Sequence, residues 1–202
     1  TASSAAYTEQ TGAANPFNGV DVGVTANEFG NTVYGGDSAP WCGDMDGDSD
    51  LDCLIGNQAG TIKYFLNTGT ASSAAYTEQT GASNPFSGVA NASDCRVLWC
   101  ADMDSDGDLD CFVGGNNMKY MLNTGSASSA AYTEQTDELN PLSRANGGGV
   151  KGLASVWCGD ADNDGDVDCF VGQHDGTIKY FLNTGSAAYT EQTGESNPLF
   201  DV

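Results

Sequence analysis

The chain has 202 residues, 28 acidic side chains against 6 basic ones, a formal charge of −22 and 39% apolar residues. The length supports a hydrophobic core for one or two domains, while the charge excludes nucleic acid and anionic membrane surfaces as partners, because no basic patch exists to displace counterions or meet acidic lipid. No apolar run reaches the roughly 18 residues of a bilayer-spanning helix, and no secretory leader is visible at Thr1, so a secreted product would be mature or trimmed sequence.

In chain order the sequence is a set of tandem copies. Ala-Tyr-Thr-Glu-Gln-Thr around Tyr7 recurs around Tyr76, Tyr132 and Tyr189, followed each time by Asn-Pro. Trp41-Cys42 ends a first predicted strand, and Trp-Cys returns at Trp99 and Trp157, with a spacing of 58 each time. An acidic loop follows. Then come a predicted strand over 51–55 closed by Gly56, a hairpin turn over 57–60 and a third strand over 61–66. An Asn67-Thr68-Gly69 turn leads to a fourth strand over 75–80. Strand three is apolar on both sides (Ile62, Tyr64 and Leu66 against Phe65), which suits a sheet packed between neighbours. No stretch carries a 3.6-residue period.

Four strands per unit of about 40–60 residues is the pattern of a propeller blade. We therefore expect an all-β, propeller-like array of tandem four-stranded blades. Its divisions are a partial repeat plus an inserted connection over 1–37, repeats over 38–80, 81–136 and 137–193, and the start of a further connection over 194–202. The chain begins and stops within a unit, so a segment of a longer array or assembly is expected; a compact three-unit domain is the alternative. An insertion around Asp21 to Gly36 and a shortened hairpin at Gly115-Asn116-Asn117 map to loops, where repeat proteins acquire specificity.

The acidity is local. Fifteen of the 21 Asp stand in three nine-residue runs, Asp44 to Asp52, Asp102 to Asp110 and Asp160 to Asp168. Five carboxylates so close repel one another, and an ordered loop holding them calls for a cation. Carboxylates at loop positions 1, 3, 5 and 9, with the backbone carbonyl of position 7, can wrap one ion. An all-oxygen shell of that kind selects Ca²⁺; Mg²⁺ takes fewer protein ligands, and Zn²⁺ wants His or thiolate. An EF-hand is excluded because its bidentate Glu at position 12 is replaced by Ile55, Val113 and Val171.

Trp-Cys-Gly-Asp-Met-Asp-Gly-Asp-Ser-Asp-Leu-Asp-Cys-Leu-Ile-Gly, followed by Gly-Thr-Ile-Lys-Tyr-Phe-Leu-Asn-Thr-Gly, resembles the FG-GAP/VCBS repeat family, whose calcium-loop blades also build integrin-α propellers. The resemblance covers all three units. It implies three calcium sites: Asp44, Asp46, Asp48 and Asp52 with the carbonyl of Asp50; Asp102, Asp104, Asp106 and Asp110 with that of Asp108; and Asp160, Asp162, Asp164 and Asp168 with that of Asp166. Loop position 6 is Gly107 and Gly165 in the second and third loops but Ser49 in the first, its Gly being displaced to Gly47, so a differently made turn is expected there.

Six of the seven Cys flank the loops as Cys42/Cys53, Cys100/Cys111 and Cys158/Cys169, each at the base of a predicted hairpin, where opposed residues lie within disulfide reach. Disulfides imply an oxidising, extracellular or cell-surface setting; reduced core Cys are the alternative. Cys95 has no counterpart and is either a buried thiol or a cross-link to another chain. Asn91-Ala92-Ser93 is an N-glycosylation sequon. His174, the only His, falls in a turn, and no nucleophile elbow or phosphate-binding loop is present, so no enzyme activity is expected. Trp41, Trp99 and Trp157 are expected in the blade cores.

These features lead us to expect a calcium-binding extracellular structural or adhesion module, part of a cell-surface protein or filament. Its partners would be other copies of the same repeat protein, or a cell-surface protein or glycan. The alternatives are a glycan-binding propeller that recognises ligand through the insertion, and the non-catalytic scaffold of a polysaccharide-processing enzyme.

Overall fold

The computed structural model describes residues 8–20, 38–89, 95, 97–115, 118–136, 139–142 and 155–199. They form three four-stranded antiparallel sheets and no α-helix. Unit one is β1 (Ser38–Gly43), β2 (Asp52–Asn57), β3 (Ile62–Asn67) and β4 (Tyr76–Gln79). Unit two is β5 (Val97–Ala101), β6 (Asp110–Gly114), β7 (Lys119–Asn123) and β8 (Tyr132–Gln135). Unit three is β9 (Ser155–Gly159), β10 (Asp168–Gly172), β11 (Ile178–Asn183) and β12 (Tyr189–Gln192). In each sheet the strands lie side by side in chain order. The described residues thus build a stack of blades, with β5 packed between β1 and β9.

The turn residues make the meander. The N–H of Gly60 donates to the carbonyl of Asn57 at 3.1 Å with Gly60 at φ +82°, a left-handed conformation that suits Gly. The N–H of Thr68 donates to the carbonyl of Ala75 at 2.9 Å, closing the next turn. Register places Cys42 opposite Cys53, Cys100 opposite Cys111 and Cys158 opposite Cys169, and all three pairs are bridged.

The core lies between blades. Met45, Leu54, Tyr64 and Phe86 of one side meet Cys100, Cys111, Val113 and Met121 of unit two. The far face of unit two, with Met103, Phe112 and Leu142, meets Cys169, Val171 and Phe181 of unit three. Both faces of a middle blade are therefore buried, as the apolar pattern of strand three requires.

The Asn-Pro motif turns out to be the clasp of this packing, a role that sequence reasoning did not assign. The Asn84 side chain donates to the Ile62 carbonyl at 2.9 Å and accepts from the Phe86 N–H at 2.9 Å. Phe86 is thereby held against Tyr132 of the next blade, rings stacked at 4.4 Å. Asn140 and Asn197 make the same two bonds for Leu142 and Leu199. At the start of the chain Phe17 plays this part for unit one, 4.8 Å from Tyr76 and 5.4 Å from Phe65 between ring centroids.

One expectation changes, and one pair of alternatives is decided. Trp41 and Trp99 are half-buried against the inter-blade cores, but Trp157 is 48% exposed, because no blade among the described residues covers its face. Cys95 stands outside the three disulfides and is fully buried, its N–H donating to the Asn57 carbonyl at 2.8 Å, which removes the exposed sulfur that a cross-link needs. Its main chain lies so close to β2 that a Cβ on Gly56 would collide with the Cys95 carbonyl oxygen. His174 is an exposed turn residue, as expected. The insertion around Asp21 to Gly36, the hairpin residues Asn116 and Asn117, and Asn91 lie outside the described residues.

Candidate metal centre

Each acidic loop joins the first and second strands of its blade, so the disulfide at its base pins both ends. The loop then folds on its own first carboxylate. Asp44 Oδ1 accepts the N–H groups of Gly47 and Asp48 at 2.8 and 3.0 Å, and Asp44 Oδ2 accepts that of Ser49 at 2.9 Å. Asp102 and Asp160 capture the N–H groups of Asp106 and Gly107, and of Asp164 and Gly165, in the same way. The path requires left-handed backbone at loop positions 4 and 6: Gly47 and Ser49, Ser105 and Gly107, Asn163 and Gly165 all have positive φ. Ser49 at φ +72° follows the same route as its Gly counterparts, so the first loop's turn is not differently made.

This wrapping gathers three carboxylates per loop. Asp44, Asp46 and Asp48 each bring an oxygen within 4.8 Å of the others, as do Asp102, Asp104 and Asp106, and Asp160, Asp162 and Asp164. The site residues at positions 7 and 9 are placed differently. Asp50 is buried at 6% exposure, with Oδ1 lacking a hydrogen-bond partner. Asp108 and Asp166 are half-buried, and Asp166 accepts a 3.4 Å bond from the Ser105 hydroxyl of the preceding blade.

Asp52, Asp110 and Asp168 sit fully buried behind the triplets and tie the loop to the third strand. Asp52 Oδ1 accepts the Asn67 N–H at 2.7 Å; Oδ2 accepts the Met45 N–H at 3.1 Å and the Tyr64 hydroxyl at 3.4 Å. Tyr120 and Tyr180 donate to Asp110 and Asp168, each at 3.0 Å. These tyrosines are site-supporting residues that sequence reasoning read only as strand-three core.

The electrostatics of the loops favour a cation. Burial first, then the neighbouring carboxylates, raise Asp46 and Asp104 above the ordinary range. The same causes act on Asp162. Burial pushes Asp52 up to about 6 and Asp110 up to about 7. Asp104, a member of the second triplet, also carries a buried Oδ1 without a hydrogen-bond partner. Lys63, Lys119 and Lys179, the only basic residues apart from His174 among those described, pair with Glu78, Glu134 and Glu191 across strands three and four. An oxygen-only, carboxylate-rich donor set with orphaned oxygens fits a hard divalent cation such as Ca²⁺.

Blades stacked face to face, each with a disulfide-based Asp loop on its first hairpin, define a tandem blade-repeat protein. The family model of the FG-GAP-like repeat matches residues 44–113, from the acidic loop of unit one through β6 of unit two. The resemblance read from the sequence therefore holds over that span, and unit three repeats the same loop, hairpin and Asn-Thr-Gly turn. No curated protein matches the chain.

Proposed function

We propose that the chain is a calcium-binding, non-catalytic structural or adhesion module that works outside the cell. The observation that carries this reading is the threefold carboxylate cluster, Asp44/Asp46/Asp48 and its two copies, each on a disulfide-closed hairpin. Calcium bound there would neutralise carboxylates that now repel one another and would lock the loop onto its blade. Three equivalent sites along a stack serve rigidity, since each small blade lacks a core of its own and draws stability from its neighbours and its cross-links. The disulfides mark an oxidising compartment, and among the described residues no helix is long and apolar enough to cross a membrane. Other copies of the repeat protein, or a cell-surface protein or glycan, would be the partners.

Titration calorimetry of the chelator-treated protein tests the reading. Three Ca²⁺ per chain are expected, falling to two in Asp102→Ala/Asp104→Ala. Absence of calcium heat at millimolar concentration would refute it.

A further inference from the structure

Met103 stands between two members of the second carboxylate triplet, Asp102 and Asp104, and unit three holds it twice. Its side chain is fully buried in the core shared with Cys169, Val171 and Phe181 of unit three. Its carbonyl accepts the side-chain amide of Asn183 at 3.1 Å. The main-chain N–H of the same Asn183 donates to Asp168 Oδ1 at 2.8 Å, and Asp168 Oδ2 accepts the Ala161 N–H of the third loop at 3.3 Å. One buried residue therefore joins the second loop to a site residue of the third. A separate tie links the same two loops. Ser105, between Asp104 and Asp106, donates its hydroxyl to Asp166 Oδ1 at 3.4 Å, and the Asp166 N–H donates to Asp164 Oδ1, within the third triplet, at 2.9 Å. The first loop has Gly47 in the place of Ser105, with no side chain to make that tie. Asp104 Oδ1, buried without a hydrogen-bond partner, is the oxygen of the second loop that a cation would take up.

From these two ties we propose that the calcium site of unit two is a two-blade site, with Asn183 and Asp166 of unit three as positioning residues, and that calcium in the third loop tightens calcium binding in the second. The inference rests on the calcium reading and adds the coupling. Calcium in the third loop fixes Asp164, Asp166 and Asp168. Asp166 then steadies Ser105, and Asp168 steadies Asn183 and through it Met103. The peptide segment that carries Asp102, Asp104 and Asp106 is thus ordered before its own ion arrives, and a loop ordered in advance gives up less conformational freedom on binding. Linkage makes the effect reciprocal, by the same factor in both directions. Direct electrostatics oppose it, because a cation in the third loop weakens the negative field at the second. In about 0.15 M salt a Debye length of about 8 Å damps that opposition. The sign of the coupling therefore tells the hydrogen-bonded path from the field.

A calcium titration of the chelator-treated whole chain in 0.15 M salt, followed by NMR at the loop amides of Gly47, Gly107 and Gly165, reads the three sites separately. Asp162→Asn/Asp164→Asn weakens the third site and keeps acceptors for the Asp164 and Asp166 N–H groups. It should lower the affinity read at Gly107 about fivefold or more and leave that read at Gly47 unchanged. Asp104→Asn/Asp106→Asn should lower the affinity read at Gly165 by a like factor. Ser105→Ala, at an exposed loop residue, keeps every carboxylate and should shrink the coupling about twofold, the effect of one weak hydrogen bond. Asn183→Ala should shrink it further, with the Gly47 site as the control for general loosening. Equal affinity at Gly107 with and without a working third site overturns the coupling and leaves the calcium reading standing. So does a second loop that binds more tightly once the third is disabled, or coupling that survives both Ser105→Ala and Asn183→Ala. No calcium response at any of the three amides overturns the calcium reading and this inference with it.

Discussion

The side-chain amide of Asn183 donates to the main-chain carbonyl of Met103, 3.1 Å away and 80 residues earlier in the chain. It crosses from the end of β11 to the acidic loop of unit two, so a loop position in one blade is fixed by a turn residue of the next. Asn183 is fully buried, and its Oδ1 also accepts the Gly185 N–H at 3.1 Å. Asn183→Ala strands the Met103 carbonyl and the Gly185 N–H at once. A loss of about 1–3 kcal/mol in urea unfolding is expected, the cost of leaving buried polar groups unpaired. Amide exchange should show the loosening reaching Asp102 to Asp106 in unit two; protection unchanged there would count against the cross-blade tie.

Ser49 occupies left-handed backbone at φ +72°, where the other two loops use Gly107 and Gly165. A Cβ in that region crowds the following carbonyl, at roughly 1 kcal/mol. Ser49→Gly should therefore raise stability by about 0.5–1 kcal/mol after the added chain entropy of Gly is allowed for. Gly107→Ser should lower it by a similar amount. Thermal melts in EGTA, which isolate the backbone effect from the ion, provide the comparison, and equal melts for the wild type and Ser49→Gly would contradict it.

The blades were legible in the sequence because turn residues punctuate every strand, and strand edges fall within two residues of expectation. The Asp triplets were legible because alternate carboxylates in one short loop need no tertiary information to meet. What escaped depends on register and stacking. Tyr64 meets Asp52 only once β2 and β3 are aligned, and Phe86 meets Tyr132 only across a blade boundary. Near-identical repeats also conceal where a unit stands in the stack. Trp157 reads like Trp41 and Trp99, and its exposure follows from its place at the end of the described blades.

The three disulfides span the same 11-residue separation but differ in access. Cys42 is exposed on unit one, whereas Cys100 and Cys158 are buried at 5% and 4% under the preceding blade. Thiol–disulfide exchange needs a thiolate to reach a sulfur. Limited reduction followed by alkylation and peptide mapping should label Cys42 and Cys53 first. Replacing that pair by Ser should cost about 2–3 kcal/mol, the loop-closure entropy returned to the unfolded chain. Simultaneous labelling of all three pairs would show that the blade joints open readily enough to expose Cys100 and Cys158 as Cys42 is exposed.

Proton linkage and calcium should act in opposite directions. Burial raises Asp52 to about 6 and Asp110 to about 7 from an ordinary 3.8, so between those limits the folded chain binds more protons than the unfolded one. Stability then falls as pH rises through that window, because ionising a buried carboxylate costs more in the fold than in water. Asp46, Asp104 and Asp162, raised by burial and by the neighbouring carboxylates, act with the same sign. In EGTA the melting temperature should drop between about pH 4.5 and 7.5. Asp110→Asn should remove part of that slope while keeping an acceptor for the Asn123 N–H, which Asp110 Oδ1 now binds at 2.7 Å. Calcium requires deprotonated ligands, so its stabilisation grows over the same range. Melting curves with and without calcium should converge at the acid end and separate steadily toward neutrality. A separation independent of pH would mean that the ion binds away from these carboxylates, and a flat EGTA profile would mean that Asp52 and Asp110 are already ionised in the acid fold.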